Sequence, residues 1–342
     1  MQGESVEGVS GNPSTPRVAL MGCGYWGRNL ARVFHQLGAL RLICDPAPQA
    51  GAAAQAAAPG VEVSTDFGSA FQREDIDAVV IATPAETHFG LVQQALAAGK
   101  DVLVEKPLTL CAAEGRLLVQ QAAQGQRVLM VGHLLEYHPA VLRLRELLQE
   151  GQMGRVNYIY SHRLNFGKIR TEENALWSFA PHDVAVILRL AGELPQEVTC
   201  AGGSYITSNL ADVTVSTLLF RSGMRAHIFV SWLNPFKEQR LVVMGEKRMA
   251  VFDDVAATDK LVLFDQRVDF QGRQPVLHKN GHTPVPLPAG VEPLRAECEH
   301  FLARLEDRQP PLTDGASGVR VLQVLEACQA SLQLNGQPVK VE

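Results

Sequence analysis

A doubly wound parallel α/β domain followed by a region of antiparallel strands is the architecture that three features of this 342-residue chain predict. Up to about residue 138, short all-apolar runs alternate with stretches of helical spacing. The first of those runs ends in the string Gly22-Cys23-Gly24-Tyr25-Trp26-Gly27. Past residue 139 the runs alternate apolar and polar positions and are separated by short turns. Runs that are apolar at every position suit parallel strands covered on both faces. Right-handed crossovers then wind helices onto both sides of such a sheet. The expected divisions are a disordered tail at 1–16, a first domain at 17–138 and a second at 139–342, with the C-terminal helices free to pack back on the first.

Taken in order, residues 1–16 are rich in Gly, Ser and Pro and mildly acidic, without the basic start and apolar centre of a signal peptide. Residues 17–22 read as a buried strand. Helical spacing follows at 25–36, with Leu30, Val33, Phe34 and Leu37 on one face. A second strand at 40–45 closes on Asp45-Pro46, and an alanine-rich helix at 48–58 leads to a short strand at 61–63. A short helix at 68–73 precedes strand 78–83. Then come helix 88–98, strand 101–105, helix 111–124 and strand 127–132. In the second domain a helix at 139–150 ends at Gly151, and strand 156–164 runs into a charged loop. A helix at 182–190 follows. Strands are expected at 213–220, 225–232, 239–245, 249–253 and 260–264, the turn Arg221-Ser222-Gly223 being the clearest. Residues 267–288, rich in Pro, Gly and His, read as a long excursion before two closing helices at 291–306 and 315–335.

Composition narrows the function. Apolar residues make up 46% and charged residues 20%, as in a soluble globular protein with a sizeable core. A net charge of −5 argues against nonspecific nucleic-acid binding while leaving room for local basic pockets. The six cysteines (Cys23, Cys44, Cys111, Cys200, Cys298, Cys328) are scattered with no CxxC pair, so they read as reduced, buried thiols and not as a zinc site. No apolar run reaches the roughly 18 residues that span a bilayer. Cytoplasm is the expected compartment, with no metal, nucleic-acid or membrane partner.

The glycine spacing has a physical logic. Gly22 permits a tight turn, Gly24 lets the backbone approach a pyrophosphate, and Gly27 allows close helix–strand packing, with the helix N-terminus facing the anion. Following a predicted strand and opening a predicted helix gives the motif its weight. Asp45 ends the second strand, where a carboxylate can accept from the adenosine ribose hydroxyls, favouring NAD and repelling the 2′-phosphate of NADP. A plain Asp45-Pro46 turn is the competing reading. Thr83, Pro84 and His88 stand at and just past a strand's carboxyl end, where open parallel sheets bind ligands. His88 equally suits a helix start facing solvent. Lys106, held by Pro107, follows an extended apolar run. Near a bound nicotinamide it could hydrogen-bond a substrate hydroxyl and stabilise alkoxide character. The alternative is a surface lysine paired with Glu105.

In the second domain, Ala180-Pro181-His182-Asp183 places a histidine at a predicted helix start with Pro in its first turn. A side chain with an ordinary pKa of about 6.5 suits a general base for a hydroxyl, and Asp183 either orients it or favours the helix end. His133 and His138 are candidates for a cleft between the domains or for structural roles. His278 and His282 flank a Gly-containing loop, and their spacing alone makes no metal site. Arg163, Lys168 and Arg170 either meet a substrate phosphate or form a solvated ion-pair loop with Glu172 and Glu173.

With these residues in view, the chain resembles the Gfo/Idh/MocA oxidoreductases. The resemblance rests on the Gly22–Gly27 string, Ala82-Thr-Pro-Ala-Glu-Thr-His88, Glu105-Lys-Pro-Leu-Thr109, Gly132-His-Leu-Leu-Glu-Tyr-His-Pro139, the His182 segment and Asp314-Gly315. It implies an N-terminal Rossmann domain and a C-terminal α/β domain whose large, mostly antiparallel sheet mediates homodimers or homotetramers. It also implies a catalytic Lys106 and His182, with Tyr25 and Trp26 packing by the cofactor and Glu105 and Pro107 shaping its nicotinamide end. One departure is Ser178, where many members carry an aspartate four residues before the histidine; Asp183 is the candidate substitute. Within the family, residues 163–170 and 175–183 look most like nucleotide-sugar 3-dehydrogenases, which oxidise C3 of UDP-N-acetylglucosamine or its uronate. A UDP pyrophosphate would account for Arg163, Lys168 and Arg170, with Asn165 and Asp183 beside them. The expectation is therefore an NAD-dependent dehydrogenase of a sugar or nucleotide sugar, with Lys106 and His182 as its acid–base pair. Its rivals are an enzyme of the same fold acting on an inositol, a free aldose or a biliverdin-like pyrrole, and a catalytically silent NAD-binding regulator.

Overall fold

The computed structural model describes residues 15–47 and 50–342. Most of the expected tail, and positions 48 and 49 of the expected alanine-rich helix, lie outside the described residues. The chain forms two compact units, one from residues up to Gly132 together with Leu294–Gly318, the other from His133–Pro293 with Val319–Glu342.

The first unit is built on six parallel strands: β1 (Val18–Met21), β2 (Leu40–Cys44), β3 (Glu62–Ser64), β4 (Ala78–Ile81), β5 (Asp101–Glu105) and β6 (Leu129–Gly132). Their order across the sheet is β3-β2-β1-β4-β5-β6, and each neighbouring pair is parallel. Every residue of β1, β4 and β6 is buried, which explains why these strands read as continuous apolar runs rather than alternating ones. Helices α1 (Gly27–Gln36), α2 (Ala50–Ala57), α3 (Gly68–Gln72), α4 (His88–Ala97) and α5 (Ala112–Gly125) connect them. The order reverses between β1 and β4, a topological switch point where ligands bind beyond the strand ends. The late segment joins this unit through the aromatic pair Phe34–Phe301, edge to face at 6.5 Å. A second tie is the fork of Arg308 onto Asp101 at 2.7 and 2.9 Å.

In the second unit nine strands form one sheet: β7 (Val156–Phe166), β8 (Pro195–Gly203), β9 (Val213–Phe220), β10 (Arg225–Ser231), β11 (Leu233–Gly245), β12 (Met249–Asp253), β13 (Leu261–Gln271), β14 (Gln274–Pro284) and β15 (Val339–Lys340). The order is β14-β13-β12-β11-β7-β10-β9-β8-β15. All neighbours are antiparallel except β7 and β10. Burial alternates along β9 and β10, so one face carries the core. Ile159, Ile228, Val243 and Trp232 of that core pack with Leu144, Ile187 and Leu325, which come from α6 (Pro139–Gln149), α7 (Ala175–Ala191) and α9 (Gly315–Gln333). The remaining helix is α8 (Pro293–Asp307).

Two expectations for the second domain are corrected. The helix expected at 182–190 begins seven residues earlier, at Ala175, and His182 lies in its middle. The side chain of Asn174 accepts from the Trp177 N–H at 3.1 Å and caps that earlier start. Pro181 is thus internal. It forfeits one helical hydrogen bond, but the helix is buried along most of its length, so packing decides. The excursion expected at 267–288 is instead a hairpin of β13 and β14. Gln271 pairs with Gln274 around a two-residue turn opened by Gly272 at φ 63°. Its prolines are tolerated because β14 lies at the sheet edge. His278 and His282 are therefore strand residues: His278 lies 2.8 Å from Asp269, and His282 packs on Phe264.

Candidate active site

In the first unit the glycine turn sits at the β1/β4 switch point. Gly22 adopts φ +88°, and a Cβ there would lie 2.7 Å from the Ala82 carbonyl oxygen. A Cβ on Gly27 would lie 2.1 Å from the Gly22 carbonyl oxygen, so only glycine lets α1 pack this close to the turn. Gly24 differs: nothing lies within 4 Å of where its Cβ would be. That open face, with no acidic residue in the first turn of α1, fits a dinucleotide pyrophosphate approaching the backbone. Asp45 is pinned against the same turn. Its carboxylate accepts from the Cys23 N–H at 2.7 Å and the Ala47 N–H at 2.9 Å, and each oxygen keeps a lone pair for a ribose hydroxyl. Tyr25 is exposed on the turn, whereas the Trp26 indole N–H is committed to the Glu105 carboxylate.

Glu105 ends β5. One of its oxygens takes the Trp26 N–H, and the other accepts from the Lys106 backbone N–H at 3.3 Å. Gly132, next along on β6, has its missing side chain filled by this carboxyl, which lies 3.0 Å from where a Cβ would be. Burial pushes the Glu105 carboxyl up to about 7, outweighing the Trp26 N–H and the adjacent Lys106 cation. Lys106 is half-buried at the carboxyl end of β5, and the Lys106–Pro107 peptide is cis. Thr83 bonds Thr87 through their hydroxyls at 2.6 Å, and Thr87 caps the turn at Pro84, which is exposed.

His88 departs from both of its expected roles. It opens α4 but is buried, with Nδ1 2.7 Å from the Pro107 carbonyl oxygen and Nε2 2.9 Å from that of Thr83. Its ring is thus turned to the protein backbone rather than offered to a cofactor or to solvent.

The second unit sorts the other candidates. Asp183 is buried and holds Arg163 at 2.7 Å through Nε and accepts from the Ser161 hydroxyl. The Arg163 side chain is only 11% exposed. Arg163 and Asp183, both expected in a substrate-binding set, thus pair with each other in the structure. Asp183 does not take the place of the missing aspartate beside His182 either, since successive helix residues point about 100° apart. Ser178 is buried one turn before His182, which is half-buried. Arg170 pairs with Glu173 at 3.1 Å and Glu172 at 3.7 Å, the ion-pair reading of that loop. Lys168 is exposed, and Asn165 half-buried beside Gly167. His138 caps α6 by accepting from Ala140 N–H at 3.1 Å, and His133 is fully buried. Glu136, between them, is 3% exposed and lies 2.5 Å from Arg189. Burial still raises its carboxyl to about 7.

Spacing in the sequence carried no sign of the Ser161–Asp183–Arg163 triad; an inward-facing serine among the apolar positions of β7 is the nearest signal. Among the described residues no group of three or more His, Cys, Asp or Glu could hold a metal ion, and no helix is long and apolar enough to cross a membrane.

A glycine turn at the switch point of a 3-2-1-4-5-6 parallel sheet defines the first unit as a dinucleotide-binding domain. The chain belongs to the Gfo/Idh/MocA family. Residues 16–133 match the model of the oxidoreductase family's NAD-binding Rossmann fold, and residues 141–251 match that of a Gfo/Idh/MocA C-terminal domain. It is an NAD(P)-dependent dehydrogenase acting on CH–OH groups. Among curated relatives, UDP-N-acetylglucosamine 3-dehydrogenase of Acidithiobacillus ferrooxidans is 28% identical over 338 residues, covering 93% of this chain and 98% of the relative. Inositol 2-dehydrogenase of Rhizobium meliloti is also 28% identical, over 332 residues, covering 93% and 97%. A crystal structure of the Acidithiobacillus enzyme matches at TM-score 0.81 and 25% identity, over 93% of this chain and 98% of that one. Levoglucosan dehydrogenase in complex with NADH and levoglucosan matches in fold at TM-score 0.81 and 22% identity, over 95% and 99%.

Proposed function

We propose that this enzyme uses NAD in preference to NADP to oxidise a secondary hydroxyl of a sugar, C3 of a UDP-N-acetylhexosamine or its uronate being the substrate position best supported. The observation that carries the chemistry is Lys106 at the carboxyl end of β5, beside the glycine turn and with its backbone held through Glu105 and Pro107. A bound nicotinamide dinucleotide supplies the hydride acceptor. The chain's own residues handle the hydroxyl proton. Lys106 donates a hydrogen bond to the reacting oxygen and stabilises alkoxide character, and His182 takes the proton. Asp45 supports NAD, because its carboxylate stands where the 2′-phosphate of NADP would meet like charge.

Support for the substrate comes from the full-length similarity to the UDP-N-acetylglucosamine enzyme. The basic loop adds little, since Arg163 and Arg170 are already paired. That pairing, with equal identity to an inositol dehydrogenase, favours oxidation of a polyol without a phosphate as the second reading. NADH absorbance with UDP-N-acetylglucosamine and with myo-inositol separates the two. Turnover of the nucleotide sugar alone is expected, and turnover of inositol alone overturns the nucleotide-sugar reading. Lys106→Ala is expected to lower kcat at least about 100-fold while still binding NAD; an unchanged kcat removes Lys106 from the chemistry.

A further inference from the structure

We propose that His88 is a positioning residue for Lys106, holding the backbone that leaves β5 through the Pro107 carbonyl; this rests on the role given to Lys106 above. The imidazole is 1% exposed and spans two carbonyl oxygens, 2.7 Å from Pro107 and 2.9 Å from Thr83. Those carbonyls close the two strands at whose carboxyl ends the reacting group sits. A neutral imidazole has a single N–H, while the cation has two. Burial disfavours the cation and outweighs the Pro107 and Thr83 carbonyls and Glu86, which favour it, with the neighbouring Lys106 charge a minor addition to the burial cost. The neutral ring therefore donates to one carbonyl, and the shorter contact assigns that bond to Nδ1 and Pro107. Lys106 is bonded directly to Pro107, so the bond fixes the peptide from which its side chain rises. On the other side of that lysine, the Glu105 carboxylate accepts its backbone N–H. The lysine is thus held from both flanks, and misplacement of a catalytic group by about 1 Å can cost about 100-fold in rate.

The test measures kcat and KM by NADH absorbance on whichever of UDP-N-acetylglucosamine and myo-inositol is turned over, with NAD affinity from calorimetry. His88→Ala is expected to lower kcat by about 10- to 100-fold with NAD affinity unchanged. His88→Asn, whose amide nitrogen falls where Nδ1 stands, is expected to recover most of the rate, and His88→Gln much less. The double variant with Lys106→Ala is expected to be no slower than Lys106→Ala alone, because two residues acting through one group are not additive. Wild-type kcat in His88→Ala beside an inactive Lys106→Ala overturns the brace and leaves the lysine's role standing. Wild-type kcat in Lys106→Ala removes both. Losses that multiply in the double variant also overturn it, since His88 then acts independently of Lys106. Should His88→Ala fail to fold, equal activity of the Asn and Gln variants is the refuting result.

Discussion

Replacing Asp45 by Ser isolates the coenzyme preference from the chemistry. The carboxylate does two things at once. It accepts from the Cys23 N–H at 2.7 Å and the Ala47 N–H at 2.9 Å, and in the proposed complex it accepts from the adenosine ribose. Serine is one atom shorter and carries one oxygen, so the Cys23 N–H, on a residue 3% exposed, loses its acceptor. An unsatisfied buried donor costs about 1–3 kcal/mol. That cost is expected as a fall in Tm of about 2–4 °C for each kcal/mol lost. Hydrogen bonds to a charged acceptor contribute about 1.5–3 kcal/mol, so kcat/KM for NAD should fall about 10- to 100-fold. With the like charge gone, kcat/KM for NADP should rise. The adenosine end makes the same contacts before and during the reaction, so KM should move and kcat should stay nearly constant. Steady-state rates with both coenzymes, beside thermal melts, decide it. An NAD to NADP preference unchanged in the variant refutes the assignment of Asp45.

Two further outcomes concern stability. Arg308 forks onto Asp101, a carboxylate 4% exposed, and its guanidinium also reaches the Gln126 carbonyl at 2.8 Å. Arg308→Ala should cost about 1–3 kcal/mol, less than a fully buried pair because the arginine is 42% exposed. Arg308→Gly should cost about 0.5–1 kcal/mol less than the alanine variant, since residue 308 has φ 58°; equal denaturation midpoints for the two would contradict this. Glu136, its carboxyl raised by burial to about 7, binds a proton more tightly folded than unfolded. Its contribution to stability is therefore greatest below about pH 4.5 and is lost as pH rises through about 7. Glu136→Gln has no such titration. Its stability relative to the parent should thus rise by as much as about 3 kcal/mol between pH 4.5 and pH 8, and a difference independent of pH in urea titrations would refute the burial argument.

The first unit was the more legible half because β1, β4 and β6 are buried at every position and the connections between successive strands are local. The run expected at 101–105 is β5 to the residue, and the glycine spacing fell where the strand order reverses. The second unit hid its features in long-range contacts. Pro181-His182 carries the signature of a helix start, and only the cap at Asn174 with the burial of the turns before it shows that the helix is already under way. For Arg163 the sequence offered a substrate phosphate or the nearby Glu172 and Glu173, and neither is its partner in the structure. Its partner stands twenty residues on in the chain, across the sheet–helix interface. His88 was legible as important but not in what it does: the Pro107 carbonyl it faces lies nineteen residues away. The hairpin at 261–284 was obscured by prolines that a central strand would not tolerate.

Those prolines bear on solubility. An open nine-stranded sheet has two rims of unpaired backbone, each a template on which another chain could polymerise. Here one rim is β14, with Pro275, Pro284 and an irregular register near Gly281. The other is β15, only two residues long. The first rim lacks donors where proline stands, and on the second the two residues of β15 pair with only Glu197 and Val198 of β8. Replacing the β14 prolines with valine would restore backbone donors along that rim and with them a template for edge-to-edge pairing.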